Sequence, residues 1–149
     1  MPEMYYPDTL YPFQDKILKV VESLKLDFYL TDGTALGRFY LNHRYSDDLD
    51  FFVNGHKAFK NQCGTAINAL KTRWKCDLAT TSDMFVRIFI QQEAMALKID
   101  FVNDVPYHYG DIKRSSIFHR IDSWRNILSN KLFLNQLNEF TFFVCVRGQ

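Results

Sequence analysis

Asp48 and Asp50 stand two apart in Ser46-Asp-Asp-Leu-Asp-Phe-Phe-Val53, a stretch with the make-up of a β-strand. Side chains alternate faces along a strand, so both carboxylates leave on one side. Leu49, Phe51 and Val53 then leave on the other, where a core can take them. Two carboxylates on one face repel each other, and a divalent cation removes that cost. Mg²⁺ favours one or two carboxylates together with substrate phosphates. A third acid, Asp100, lies in Leu97-Lys-Ile-Asp-Phe-Val102, opposite the apolar set Leu97, Ile99 and Phe101. If the two strands are neighbours, Asp100 joins the pair. Three carboxylates can hold two metal ions about 3.5–4 Å apart, which activates an attacking oxygen and neutralises a leaving phosphate. Upstream, Thr31-Asp-Gly-Thr34 links a strand to a helix. Backbone amides at a helix start attract anions, and the glycine lets phosphate approach closely. Phosphoryl transfer needs mainly positioning and charge stabilisation, and these residues are a minimal set for it.

The elements that must position them follow from hydrophobic spacing. Ile17, Leu18, Val21 and Leu24 predict a helix within residues 10–25. Leu26 to Leu30 reads as a short strand, Ala35 to Leu41 as a helix, and Asp48 to Val53 as a strand ended by Asn54-Gly55. His56 to Thr72 reads as a helix burying Phe59, Ala66, Ile67 and Leu70. Trp74 to Ala79, Met84 to Gln91 and Ala94 to Val102 read as strands, the last two forming a hairpin about Gln92-Glu93. Residues 103–120 read as irregular and Ile121 to Leu134 as a helix. The expected architecture is α/β in the α+β sense: a mixed β-sheet flanked by helices, in one domain over residues 1–149.

Bulk properties narrow the class. The 149 residues are 47% hydrophobic and 23% charged, enough for a core and unlike a disordered chain. A net charge of +1 supplies no field for nonspecific polyanion binding. The three cysteines, Cys63, Cys76 and Cys145, show no CxxC spacing, which suits free thiols in a reducing compartment. The first seven residues lack a basic and then apolar leader, and no apolar run reaches the roughly 20 residues of a membrane span. A cytoplasmic protein with no membrane partner is expected.

Leu30-Thr-Asp-Gly-Thr-Ala-Leu36 followed by His43-Arg-Tyr-Ser-Asp-Asp-Leu-Asp-Phe-Phe52 resembles the signature of the DNA polymerase β-like nucleotidyltransferase superfamily. The sequence is most similar to its AbiEii-type members, toxin components of abortive-infection toxin–antitoxin systems, which typically read Gly-Gly-Thr-Ala-Leu and His-Arg-x-Ser-x-Asp-Leu-Asp. The resemblance spans roughly residues 27–132 and includes Asn130-Lys-Leu132.

It implies the polymerase β-like fold and transfer of a nucleoside monophosphate from a nucleoside triphosphate to an acceptor hydroxyl. By the same resemblance, Asp48, Asp50 and Asp100 bind Mg²⁺, two ions in all, and Asp100 can also take the acceptor proton. Gly33, Thr34 and Lys131 contact the nucleotide, and Arg44 and Ser46 contact its phosphates or brace the carboxylates. The acceptor could be transfer RNA, a protein or a small molecule, and an antitoxin is an expected partner. Two departures stand out. Asp32 replaces the family's first glycine, and Phe140-Thr-Phe-Phe-Val-Cys-Val146 is β-like where a helical C-terminal region is usual. The expectation is therefore a truncated or minimal member. The alternative is a catalytically degenerate nucleotide- or partner-binding module of the same fold.

Plainer roles fit the remaining candidates. His43 reads as a structural hydrogen-bonder, and His56, His108 and His119 read as surface or capping residues. Trp74 and Trp124 read as core. Lys113, Arg114, His119, Arg120 and Arg125 read as a solvated basic face.

Overall fold

The computed structural model describes residues 9–41, 48–108, 110–116 and 118–129. The elements are α1 (Tyr11–Ser23), β1 (Tyr29–Thr31), α2 (Asp32–Ala35) widening into a π-helical stretch (Leu36–Leu41), β2 (Leu49–Asn54), α3 (Phe59–Lys71), β3 (Lys75–Thr81), β4 (Phe85–Gln92) and β5 (Met95–Asp104). A short helix, α4, covers residues 124–129. The strands form one sheet in the order β1-β2-β5-β4-β3. Among these five strands, β2 and β5 pair in parallel and the other three pairings are antiparallel. This is the mixed sheet with helices that the periodicities predict.

Alternation decides which sheet face is core. Leu49, Phe51 and Val53 from β2, Val86, Ile88 and Ile90 from β4, and Leu97, Ile99 and Phe101 from β5 are all buried. They join one cluster with Phe13, Ile17, Leu18 and Val21 of α1 and with Phe59, Cys63, Ala66 and Leu70 of α3. Burial pushes the Cys63 thiol up to about 12, so this cysteine behaves as an apolar group near neutral pH. Phe28 anchors the cluster. Its ring lies 5.1 Å from Phe101, 6.2 Å from Phe59 and 6.4 Å from Phe51. Phe28→Ala is expected to cost about 3–5 kcal/mol in urea unfolding, the range for emptying a buried aromatic site. A loss below about 1 kcal/mol would show that the cluster does not depend on this ring.

Several boundaries differ from the sequence reading, each for a local reason. β1 starts at Tyr29 rather than Leu26, because Lys25 adopts φ 53° and the Asp27 amide donates to Gln62 Oε1 at 2.9 Å. That amide is thus committed to α3 before the strand can pair. α3 starts at Phe59 rather than His56, with Ala58 as its N-cap residue and the Ala58 amide donating to the His56 ring at 3.1 Å. The hairpin turns on Glu93-Ala94, one residue later than expected, with Gln92 opposite Met95 and Glu93 at φ 55°.

The last helix begins at residue 124, not Ile121. Ile121 bridges Leu30 and Lys113, and Ser123 Oγ caps the helix by accepting from the Asn126 amide at 3.0 Å. Trp124 is exposed rather than core, while Ile127 takes the buried position on that turn. The run Phe140–Val146 and the end of the predicted last helix lie outside the described residues.

Candidate active site

The central parallel pair puts Asp50 directly beside Asp100, as the alternation argument requires if the two strands are neighbours. The register extends this line across the sheet. Thr31 of β1 lies opposite Asp50, and Arg87 of β4 lies opposite Asp100. All four side chains leave the face that does not carry the core residues. Asp48 sits just before β2, and its carboxylate Oδ2 lies 3.2 Å from Lys98 Nζ.

Arg87 holds Asp100 with a two-pronged contact. Nε donates to Oδ1 at 2.8 Å and Nη2 to Oδ2 at 3.0 Å. Asp100 is 6% exposed, so this pairing places a fixed positive group against a buried carboxylate. Neither Arg87 nor Lys98 figures in the functional set read from sequence. The signal was present: both fall on the polar phase of otherwise apolar strands.

Among the described residues, no such two-pronged contact is made to Asp50. Burial, followed by the negative charges of Asp32, Asp100 and Asp48, pushes its carboxyl up to about 7, with Lys98 offsetting part of the rise. Among the described residues, Asp32, Asp48, Asp50 and Asp100 thus gather around two cations, Arg87 and Lys98. Hard oxygen donors with a charge deficit are what a divalent cation such as Mg²⁺ requires. Among the described residues, however, no three acidic, histidine or cysteine side chains converge on one point. The ion pairs hold Asp48 against Lys98 and Asp100 against Arg87. Asp50 and its acidic neighbours fit a cation by charge and donor type, and binding one would require Asp48 or Asp100 to exchange partners.

The turn before α2 explains the first departure noted in the sequence. Asp32 has φ 63°, the left-handed region where glycine is easiest and where aspartate is among the tolerated residues. Asp32 thus holds a backbone conformation that favours glycine, and its carboxylate is one of the charges acting on Asp50. Gly33 is half-buried in the first turn of α2. Thr34 is fully buried, and its hydroxyl donates to the backbone carbonyl of Asp48. This bond ties the glycine turn to the carboxylate strand across a gap of fourteen residues. Arg44, Ser46 and Lys131, together with His43, lie outside the described residues.

His108, read from sequence as a surface or capping residue, instead contacts the carboxylate of Asp122, which is fully buried. The sequence gives little warning of this pair, because residues 103–120 carry no periodicity.

The sequence profile of a family described as nucleotidyl transferase AbiEii toxin, type IV toxin–antitoxin system, matches residues 17–123. No curated protein matches. Among solved structures, a candidate nucleotidyltransferase from H. pylori superposes with a TM-score of 0.62 at 19% identity, over 84% of this chain and 58% of that one. The protein JHP933 from Helicobacter pylori superposes with a TM-score of 0.55 at 19% identity, over 81% of this chain and 55% of that one. At that identity the likeness carries the fold. The chain spans somewhat more than half the length of either structure.

Proposed function

The chain belongs to the AbiEii family of nucleotidyl transferase toxins of type IV toxin–antitoxin systems, and from that premise we propose that it transfers a nucleoside monophosphate from a nucleoside triphosphate to an acceptor hydroxyl. The observation that carries this reading is the Asp50–Asp100 neighbour pair on the sheet face opposite the core, with the Asp50 carboxyl pushed up to about 7 by burial and then by the charges of Asp32, Asp100 and Asp48.

Asp48, Asp50 and Asp100 would hold Mg²⁺, two ions if all three acids take part. Bound there, the ions would polarise the reacting phosphate and lower the cost of charge on the attacking and leaving oxygens. The chain's own groups would do the rest. The amides around Gly33 would orient the phosphates, and Thr34 would keep that turn docked on the Asp48 backbone. The acceptor oxygen would bond to the α-phosphorus while the α–β bridging bond breaks and pyrophosphate leaves with the electron pair. The acceptor proton would pass to a carboxylate oxygen of Asp100, once Arg87 no longer occupies both of its oxygens. Arg44, Ser46 and Lys131 are proposed phosphate contacts on sequence grounds. The acceptor class covers transfer RNA, protein hydroxyls and small molecules, and an antitoxin is the proposed protein partner.

The test is incubation with each α-labelled nucleoside triphosphate, with Mg²⁺ or with a chelator, in the presence of RNA, protein and small hydroxyl acceptors. Label on one acceptor class, lost with the chelator, is the expected result. No label with any triphosphate or acceptor would overturn it.

A second reading, a nucleotide- or partner-binding module without turnover, draws on one observation. Arg87 and Lys98 already engage two of the three acids. Calorimetry separates the two readings. Triphosphate binding without label transfer favours the module, and transfer excludes it.

A further inference from the structure

We propose that Asp122 is the positioning residue of the glycine turn, clamping both ends of the segment that carries Gly33 and Thr34; this deepens the nucleotide-transfer reading above and rests on it. Asp122 is fully buried, and each of its polar groups has a partner. Its amide donates to the Leu30 carbonyl at 2.8 Å. Its carbonyl accepts from the Tyr40 hydroxyl at 2.5 Å. Carboxylate Oδ2 accepts from Thr31 Oγ1 at 2.5 Å and from Asn126 Nδ2 at 2.8 Å. Oδ1 meets His108 Nε2, and the other ring nitrogen of His108 lies 2.8 Å from the Gly110 carbonyl.

Leu30 and Thr31 immediately precede the Asp32 turn, and Tyr40 lies near the end of the helical stretch that follows it. One residue from a distant, irregular segment therefore fixes the chain on both sides of the turn, at sequence separations of 91 and 82. Thr31 is also the cross-strand neighbour of Asp50. A shift at Asp122 would be passed to the turn through Thr31 and to the carboxylate row through the same residue. Small displacements of a positioning element are expensive: about 1 Å can cost on the order of 100-fold in rate. A carboxylate this deeply buried is also costly unless its acceptor sites are filled, and here His108, Thr31 and Asn126 fill them.

Thr31→Val removes one hydroxyl from the clamp at nearly constant volume, Thr31→Ser restores it, and Asp122→Asn keeps the shape while removing the charge. Three measurements apply to each: thermal melting, kinetics with the triphosphate, and amide hydrogen exchange of residues 32–36. The clamp predicts that Thr31→Val loses exchange protection at residues 32–36 by roughly tenfold or more while α3 and β5 keep theirs. It also predicts a rise in KM for the triphosphate of about tenfold with a smaller fall in kcat, and recovery of both in Thr31→Ser. Asp122→Asn should show the same local pattern. Wild-type protection at residues 32–36 in Thr31→Val and Asp122→Asn would overturn the clamp. So would a loss spread evenly over the whole protein. If the wild type transfers no label, the exchange measurement still decides the clamp, so the two failures remain distinguishable.

Discussion

Asp50→Asn should abolish label transfer and yet make the metal-free protein more stable. The loss in rate is expected to be roughly 10²–10³-fold or more, the scale seen when one preorganised electrostatic group is removed from a reacting centre. The gain in stability follows from the charge the wild type must hold. The carboxyl of Asp50 is pushed up to about 7 by burial and by Asp32, Asp100 and Asp48. The unfolded chain releases this proton near its ordinary value of 3.8, so between the two the folded chain binds more protons. The stability linked to Asp50 is therefore fully present below about pH 4 and is lost as pH rises through about 7. At about 1.36 kcal/mol per pH unit, the ceiling is about 4 kcal/mol. Side-chain relaxation and water access reduce it, so asparagine should add about 1–2 kcal/mol at pH 8. For a domain of this size that is about 3–6 °C in Tm. At pH 4 the two proteins should melt together. Mg²⁺ should reverse the order at pH 8, because an ion that binds only the folded wild type adds about 2.7 kcal/mol at a hundredfold excess over its Kd. Equal melting of the two proteins at pH 8 without metal, and equal gains from Mg²⁺, would defeat this account of the site.

The part of this site that was legible in the sequence is the part governed by period two. Asp48, Asp50 and Asp100 fall on the polar phase of apolar strands, and the side to which each points follows from alternation alone. The strand runs were legible too, because Leu49, Phe51, Ile99 and Phe101 leave no other face for a core. What alternation does not carry is which strands are neighbours. The β2–β5 parallel pairing joins residues fifty apart in the chain, and only that pairing sets Asp50 beside Asp100. The same limit hid Arg87. Its phase on β4 was readable, but its bond to Asp100 depends on β4 lying on the far side of β5. Asp32 is a different case. Its type argues against a phosphate turn, and the sequence does not disclose that it takes a φ of 63°, a conformation that favours glycine. Asp122 was the least legible, since its partners are at residues 30, 31, 40, 108 and 126 and no local pattern announces them.

Removing the guanidinium that faces Asp100 probes the same charge balance from the other side. Arg87→Ala leaves a carboxylate that is 6% exposed next to Asp50, stripped of the guanidinium that pairs with it. Stripping one partner from a buried ion pair costs about 3–5 kcal/mol, but the Arg87 side chain is 35% exposed, so about 2 kcal/mol is the reasonable expectation without metal. Arg87→Lys should fall between, since it keeps the charge and loses the two-pronged contact. The dependence on Mg²⁺ gives the sharper result. If Asp100 takes part in holding a cation, the guanidinium and the ion compete for the same oxygens. The alanine variant should then bind Mg²⁺ several-fold more tightly than the wild type, and its stability deficit should shrink as Mg²⁺ is added. Urea unfolding across a Mg²⁺ series measures both. A deficit that stays constant over the whole series would assign the Arg87–Asp100 pair to structure alone and would remove Asp100 from the proposed metal set, leaving Asp48 and Asp50 of the three.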